Sequence, residues 1–325
     1  MEATLVREHD EQRITAASAV SVGDVWQLPS GEAAVYLKVA NAAGITAGAS
    51  GDRTDFRTSG KYTFPLTASI VMLPGCRAYW DHSANLVNYK KVNDRDFYLG
   101  RVVEDASGGI VIVDINKDPG YDIDLLRDPV LSVPVGTQAV GAFGYPKQLG
   151  GAVSLELTAT NEAQKIDMLS VDGFAKGANA IVEIVFRVTS DGAGTVVDVS
   201  LGVANATHAT DADSITESVF VHLDANNTNI NLESDDGSTE VAATDSTYDY
   251  TEGSAVANRV HVWMDFRNPA DVQIYVNGVL ALPSTVFNVD AAVGPFFPLA
   301  HIEKTSSTDT YSLVLDRFCA WYSEQ

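Results

Sequence analysis

Alternation with a period of two dominates the second half of the chain. In 181–188, Val182, Ile184, Phe186 and Val188 fall on one side, with Glu183 and Arg187 on the other. That is the pattern of a strand with one face in a core. Val260, Val262, Met264 and Phe266 repeat it opposite His261, Trp263 and Asp265, and Val272, Ile274 and Val276 do so opposite Gln273 and Tyr275. Asn277-Gly278 follows at once. A two-residue type I′ hairpin turn needs positive φ at both central positions, and Asn-Gly supplies it with least strain. Leu313, Val314, Leu315 and Phe318 predict a terminal strand. Many strands, Gly/Asn/Asp turns and no helical period predict an antiparallel β-sandwich over 151–325.

The first half carries shorter runs. Residues 21–28 read as a strand entered through the Gly23-Asp24 turn, and 70–73, 78–80, 98–103 and 110–115 read as further strands. A small β-rich domain is therefore expected over 1–116. Its first dozen residues, polar and mixed in charge, form an arm without a core. Between the halves, Asp118-Pro119-Gly120, Asp128-Pro129, Val133-Pro134-Val135-Gly136 and Gly144-Tyr145-Pro146 predict an extended linker over 117–150. At most, 124–127 makes one helical turn before Pro129 stops it. The expected fold class is all-β.

Charge divides the chain as sharply as pattern does. Net charge is −22; residues 1–150 hold 14 basic and 18 acidic side chains, and residues 151–325 hold 7 and 25. So acidic a second half repels nucleic acid and anionic lipid, and neither is expected as a partner. The longest apolar stretch, 291–302, is broken by Gly294, Pro295, Pro298 and His301. It falls short of the roughly 20 residues of a membrane span. The first ten residues carry no apolar run, so no secretory signal is expected. Cys76 and Cys319 lie far apart and read as free thiols in a reducing cytosol.

Catalytic motifs are absent: there is no nucleophile elbow, phosphate loop or dinucleotide fingerprint. The histidines (His9, His82, His208, His222, His261 and His301) are scattered, with no pair at zinc-ligand spacing. Glycoside hydrolysis needs two carboxyl groups facing each other across the bond. The densest acidic cluster, 233–240, lies in Gly/Ser/Thr-rich sequence and reads as a solvated loop, with calcium binding as an alternative. Asp211-Ala212-Asp213-Ser214 offers calcium oxygen ligands too, but without the spacing of an EF-hand loop. No enzyme and no cofactor are expected, calcium being the one metal left open. Trp263 and Tyr275 either fill a second packed layer or offer sugar rings a stacking platform; they are the candidate glycan contacts.

Two resemblances follow from these residues. Val22-Gly23-Asp24-Val25, Gly60-x-Tyr62-x-Phe64-Pro65, Gly75 with Tyr79-Trp80-Asp81, Asn85-x-Val87 and 99–106 occur in an order that resembles the phage capsid-cement, or head-decoration, family over about 1–116. The run 261–266 followed by 272–278 resembles the paired strands and turn of concanavalin-A-like, laminin-G-like jelly rolls. The glucanase branch's Glu-x-Asp-x-x-Glu strand is missing, so that resemblance implies a fold and no enzyme. Together they imply a structural virion protein, assembled in the host cytoplasm, that binds the major capsid protein as a homotrimer and displays an acidic sandwich. The arm, with Leu5, Val6, Arg7 and Arg13, is then the expected capsid contact. The alternative is a glycan-binding adhesion module anchored on the virion.

Overall fold

The computed structural model describes residues 11–15, 18–36, 47–49, 53–106, 108–127, 129–131, 135–136, 147–149 and 151–323. The fold is all-β: among the described residues the only helical segments are two 3₁₀ turns, Ala212–Ser214 and Val256–Asn258. The chain divides into two compact units, Met1–Gly120 and Tyr121–Gln325.

In the first unit, a five-stranded antiparallel sheet runs in the order Lys61–Pro65, Ile110–Ile115, Phe97–Val102, Arg77–Asp81, Leu86–Asn88. Phe64, Trp80, Val87, Leu99, Val111 and Val113 are buried in it, and the Phe64 and Trp80 rings meet edge to face at 6.1 Å. Gly100 is required by close approach, since a Cβ there would stand 2.1 Å from the Asp114 carbonyl oxygen. A four-stranded sheet (Glu11–Thr15, Arg53–Arg57, Ala33–Tyr36, Val25–Gln27) is tied to the first by the Asn116 side chain. That amide accepts from Ala33 N (2.7 Å) and donates to the carbonyls of Ala33 (2.8 Å) and Thr58 (2.7 Å). The strand expected at 70–73 does not form. Ser69 at φ 66° and Gly75 at φ 89° turn the chain on either side, leaving only a single bridge between Met72 and Ala106.

The second unit is a sandwich of two antiparallel sheets. One runs Lys147–Leu149, Ala152–Leu157, Tyr311–Tyr322, Ala180–Ser190, Val260–Asp265, Gln273–Val276, Val279–Leu280, with Ile123–Asp124 also paired to Tyr311–Tyr322. The other runs Pro129–Leu131, Glu162–Ser170, Phe297–Ser307, Val197–Ala204, Ser218–Asp224, Asn229–Asp235, Glu240–Asp249. Val182, Ile184, Phe186, Val188, Val260, Val262, Met264 and Phe266 from the first sheet share one core with Val199, Leu201, Val203, Val221, Leu223 and Leu232 from the second. Each such side chain contributes about 1.5–3 kcal/mol of burial. Asn277 (φ 52°) and Gly278 (φ 81°) make the type I′ turn, setting Val276 opposite Val279.

The segment read as a linker is extended, but its described strands pair with the sandwich: Ile123 lies opposite Ala320, Pro129 opposite Ser170 and Lys147 opposite Ser154. A single turn forms at 124–127 as expected, closed by Arg127 N–H donating to the Asp124 carbonyl at 3.2 Å, and it buries Leu125 fully in the core. The acidic stretch 233–240 is not a loop. Glu233 belongs to Asn229–Asp235, only 236–239 turn, and Glu240–Asp249 is a mostly exposed strand at the end of its sheet.

Candidate functional site

Because Val199 and Leu201 point into the core, Asp198 and Ser200 point to the other face of the seven-stranded sheet. His222 and Asp224 do the same against Val221 and Leu223. Antiparallel register lines these side chains up in rows. One row reads Asp167, His301, Ser200, His222, Asn231, Asp245 across six strands. Beside it runs Lys165, Glu303, Asp198, Asp224. On the other flank Gly202, Phe220 and Glu233 are aligned. This outer face is thus a sheet-borne array of carboxylates, imidazoles, amide and hydroxyl.

Its centre is His222, only 5% exposed. Nδ1 lies 3.3 Å from Asp213 Oδ1 and 3.5 Å from Glu233 Oε2. Nε2 lies 3.3 Å from Asp224 Oδ1 and 3.4 Å from Asp198 Oδ1. Burial alone would lower the imidazolium's pKa, but Asp213, Glu233 and Asp198 outweigh it and push it up to about 12. Burial pushes the Asp198 carboxyl up to about 7 against the opposing pull of His222. Glu233 is likewise raised by burial, whereas the hydrogen bond to His222 holds Asp213 below the ordinary range. Asp213 reaches the ring from a 3₁₀ turn capped by Asp211, whose Oδ1 accepts from Asp213 N at 2.9 Å. Asp198, Asp213 and His222 each bring a donor atom within 4.8 Å of the others, which makes them the residues able to hold a metal.

A second imidazole sits across Ser200. His301 is paired through Nδ1 with Asp167 and through Nε2 with Glu303 (3.2 Å). Burial opposes its charge, yet these carboxylates push it up to about 9. Lys165 completes the group, with Nζ 2.7 Å from Asp167 Oδ2 and donating to the His208 carbonyl at 2.7 Å.

Of the residues singled out in the sequence, Asp213 and Glu233 are brought together on His222. Asp235 and Asp236 serve their own turn, accepting from Gly237 N and from Ser238 N and Thr239 N. Trp263 and Tyr275 do pair directly across neighbouring strands. They lie on the other sheet, however, and both are buried; the Trp263 Nε1–H donates to Glu183 Oε1 at 3.3 Å. They make a packed layer and present no ring face on which a sugar could stack. Leu5, Val6 and Arg7 lie outside the described residues, and Arg13 sits in the edge strand Glu11–Thr15. His222, His301, Asp198 and Asp167 escaped the sequence reading. Their only signal was a polar residue at every second position opposite the core row. The first unit also holds a cavity of about 500 Å³ lined by Trp26, His82, Arg95 and Phe97 among others, without a carboxylate.

No protein-family model and no curated protein matches this sequence. Solved structures that resemble part of it include the carbohydrate recognition domain of Emp46p in its potassium-bound form. That resemblance is at 10% identity, TM-score 0.38, over 62% of this chain and 91% of that one. The Emp47p carbohydrate recognition domain gives 10%, 0.39, 62% and 94%. A glycosyl hydrolase family protein from Mycobacterium fortuitum gives 10%, 0.39, 62% and 100%.

Proposed function

We propose that the sandwich unit is a glycan-binding module that reads neutral sugars on the outer face of its seven-stranded sheet. The observation that carries this is the group of partly exposed polar side chains, Asp198, Asp224 and Asn231 on adjacent strands with Asp213 beside them, set around the buried His222. Sugar hydroxyls both donate and accept, so carboxyl groups beside an amide match vicinal hydroxyl pairs. The Asp213 and Asp224 side chains are 44% and 47% exposed, which leaves the array open to solvent on that side. Its negative charge disfavours sialylated or sulfated glycans. The test is a glycan array followed by calorimetry with Asp224→Ala and Asn231→Ala. Neutral oligosaccharides should be retained by the native chain and weakened at least tenfold in both variants, with Trp263→Phe unaffected. An array on which no neutral glycan is retained refutes the reading.

A second reading, head decoration, rests on the sequence resemblance of residues 1–116 alone. Four of its segments, 60–65, 79–81, 85–87 and 99–106, run through the five-stranded sheet, whereas Val25 belongs to the four-stranded one. The two readings are compatible, since a decoration protein can also adhere. Sedimentation with capsids lacking the protein decides this one; failure to co-sediment ends it.

A further inference from the structure

The cavity of about 500 Å³ in the first unit has the make-up of a small-molecule site. Such sites are usually clefts of roughly 300–1,000 Å³ with apolar walls and a few placed polar groups. Here the apolar wall comes from Trp26 and Phe97. Trp26 stands on Val25–Gln27, the end strand of the four-stranded sheet, and is backed by the Phe56 ring at 5.3 Å. Phe97 is buried and opens the strand Phe97–Val102 of the five-stranded sheet. His82, Arg95, Gln27 and Ser18 supply the polar lining.

One buried carboxylate fixes the backbone that carries the two nitrogen-rich side chains. Asp96 is 3% exposed; its Oδ1 accepts from His82 N at 3.0 Å, and its Oδ2 accepts from Val92 N at 2.7 Å and Asn93 N at 2.8 Å. His82 is thereby tied to the residue that follows Arg95, and a site held in place this way loses little ordering entropy on binding. The side chains themselves are unspent. Among the described residues, neither the Arg95 guanidinium nor the His82 imidazole makes a hydrogen bond or an ion pair, and no carboxylate lines the cavity. A guanidinium takes a carboxylate or phosphate through two parallel N–H···O bonds. The neighbouring rings favour a flat aromatic body, which they meet edge to face or offset-stacked.

We propose that this cavity binds a small aromatic anion, its ring against Trp26 and Phe97 and its carboxylate or phosphate on Arg95 and His82. The site lies wholly in the first unit, so it neither needs nor tests the glycan reading.

The experiment titrates the full chain calorimetrically with phenylacetate and phenyl phosphate, following indole N–H shifts by NMR with the Trp26 signal assigned through Trp26→Phe. Benzyl alcohol supplies the ring without charge; acetate and inorganic phosphate supply the charge without a ring. At least one ringed anion should bind at one equivalent per chain and shift the Trp26 signal, with the three controls tenfold weaker or more. Arg95→Gln, at an exposed position, should weaken the ringed anion at least tenfold while circular dichroism stays native, and the exposed Lys61→Gln should change nothing. The proposal is overturned if neither ringed anion binds, if benzyl alcohol or a ringless anion binds as tightly, or if Arg95→Gln leaves binding unaltered.

Discussion

His301 should act as a measurable pH-dependent brace of the sandwich. It is 1% exposed, faces Asp167 from the neighbouring strand and Glu303 from its own, and has Ser200 on its other side. Its pKa rises from 6.5 to about 9. The difference of about 2.5 units, at 1.36 kcal/mol each, is worth about 3 kcal/mol. The native state keeps the proton where the unfolded chain has released it. The stabilisation is therefore whole below about pH 6.5 and is lost as pH rises through about 9. Urea denaturation of the native chain and of His301→Gln at pH 6 and pH 10, with EDTA present, isolates this contribution, because other groups cancel in the difference. The native chain should lose about 3 kcal/mol more than the variant between the two pH values. Equal losses, or a His301 ring that titrates near 6.5 by NMR, would falsify the reasoning.

Three further substitutions probe the frame. In Gly202→Ala the new Cβ would stand 2.0 Å from the Val219 carbonyl oxygen. Forcing the strands apart should cost about 1–3 kcal/mol in chemical denaturation, against no measurable change in Gly177→Ala, where nothing lies within 4 Å. Glu183, buried beneath Trp263 and paired with Arg317 at 2.7 Å, should cost about 3–5 kcal/mol as Glu183→Ala. The double variant Glu183→Leu/Arg317→Leu should recover most of that loss, and a double variant as unstable as the single one would count against a buried-charge origin. Gly278→Ala places a side chain at φ 81° in the hairpin turn and should lower stability by about 1 kcal/mol, read as a drop of a few degrees in Tm.

The inward half of the sandwich was legible because one-sided burial writes itself into a single strand's alternation. Val182 to Val188 and Val260 to Phe266 needed no neighbour to be read. The outward half was not, because a row across a sheet has no signature in spacing. His222 and His301 meet only because both lie opposite Ser200 on the strand between them. Glu233 was misread for a related reason. Asp235-Asp236-Gly237 announces a turn so strongly that the preceding Asn229–Glu233 alternation, with Ile230 and Leu232 in the core, was overshadowed. Trp263 and Tyr275 show the converse limit. Their pairing was readable, but the burial of that outer face depends on what packs over it, which no strand pattern encodes.

The two ends of the seven-stranded sheet carry one more consequence. At one end the three-residue strand Pro129–Leu131 starts with a residue that has no N–H to offer; at the other, Glu240–Asp249 exposes Glu240, Asp245 and Asp249 along its length. Short proline-bearing edges and charged edges both block the strand-to-strand addition through which β-proteins polymerise. Copies of this sandwich crowded at high local density would therefore stay separate, and replacing Glu240, Asp245 and Asp249 with neutral residues would be the change under which they begin to zip together.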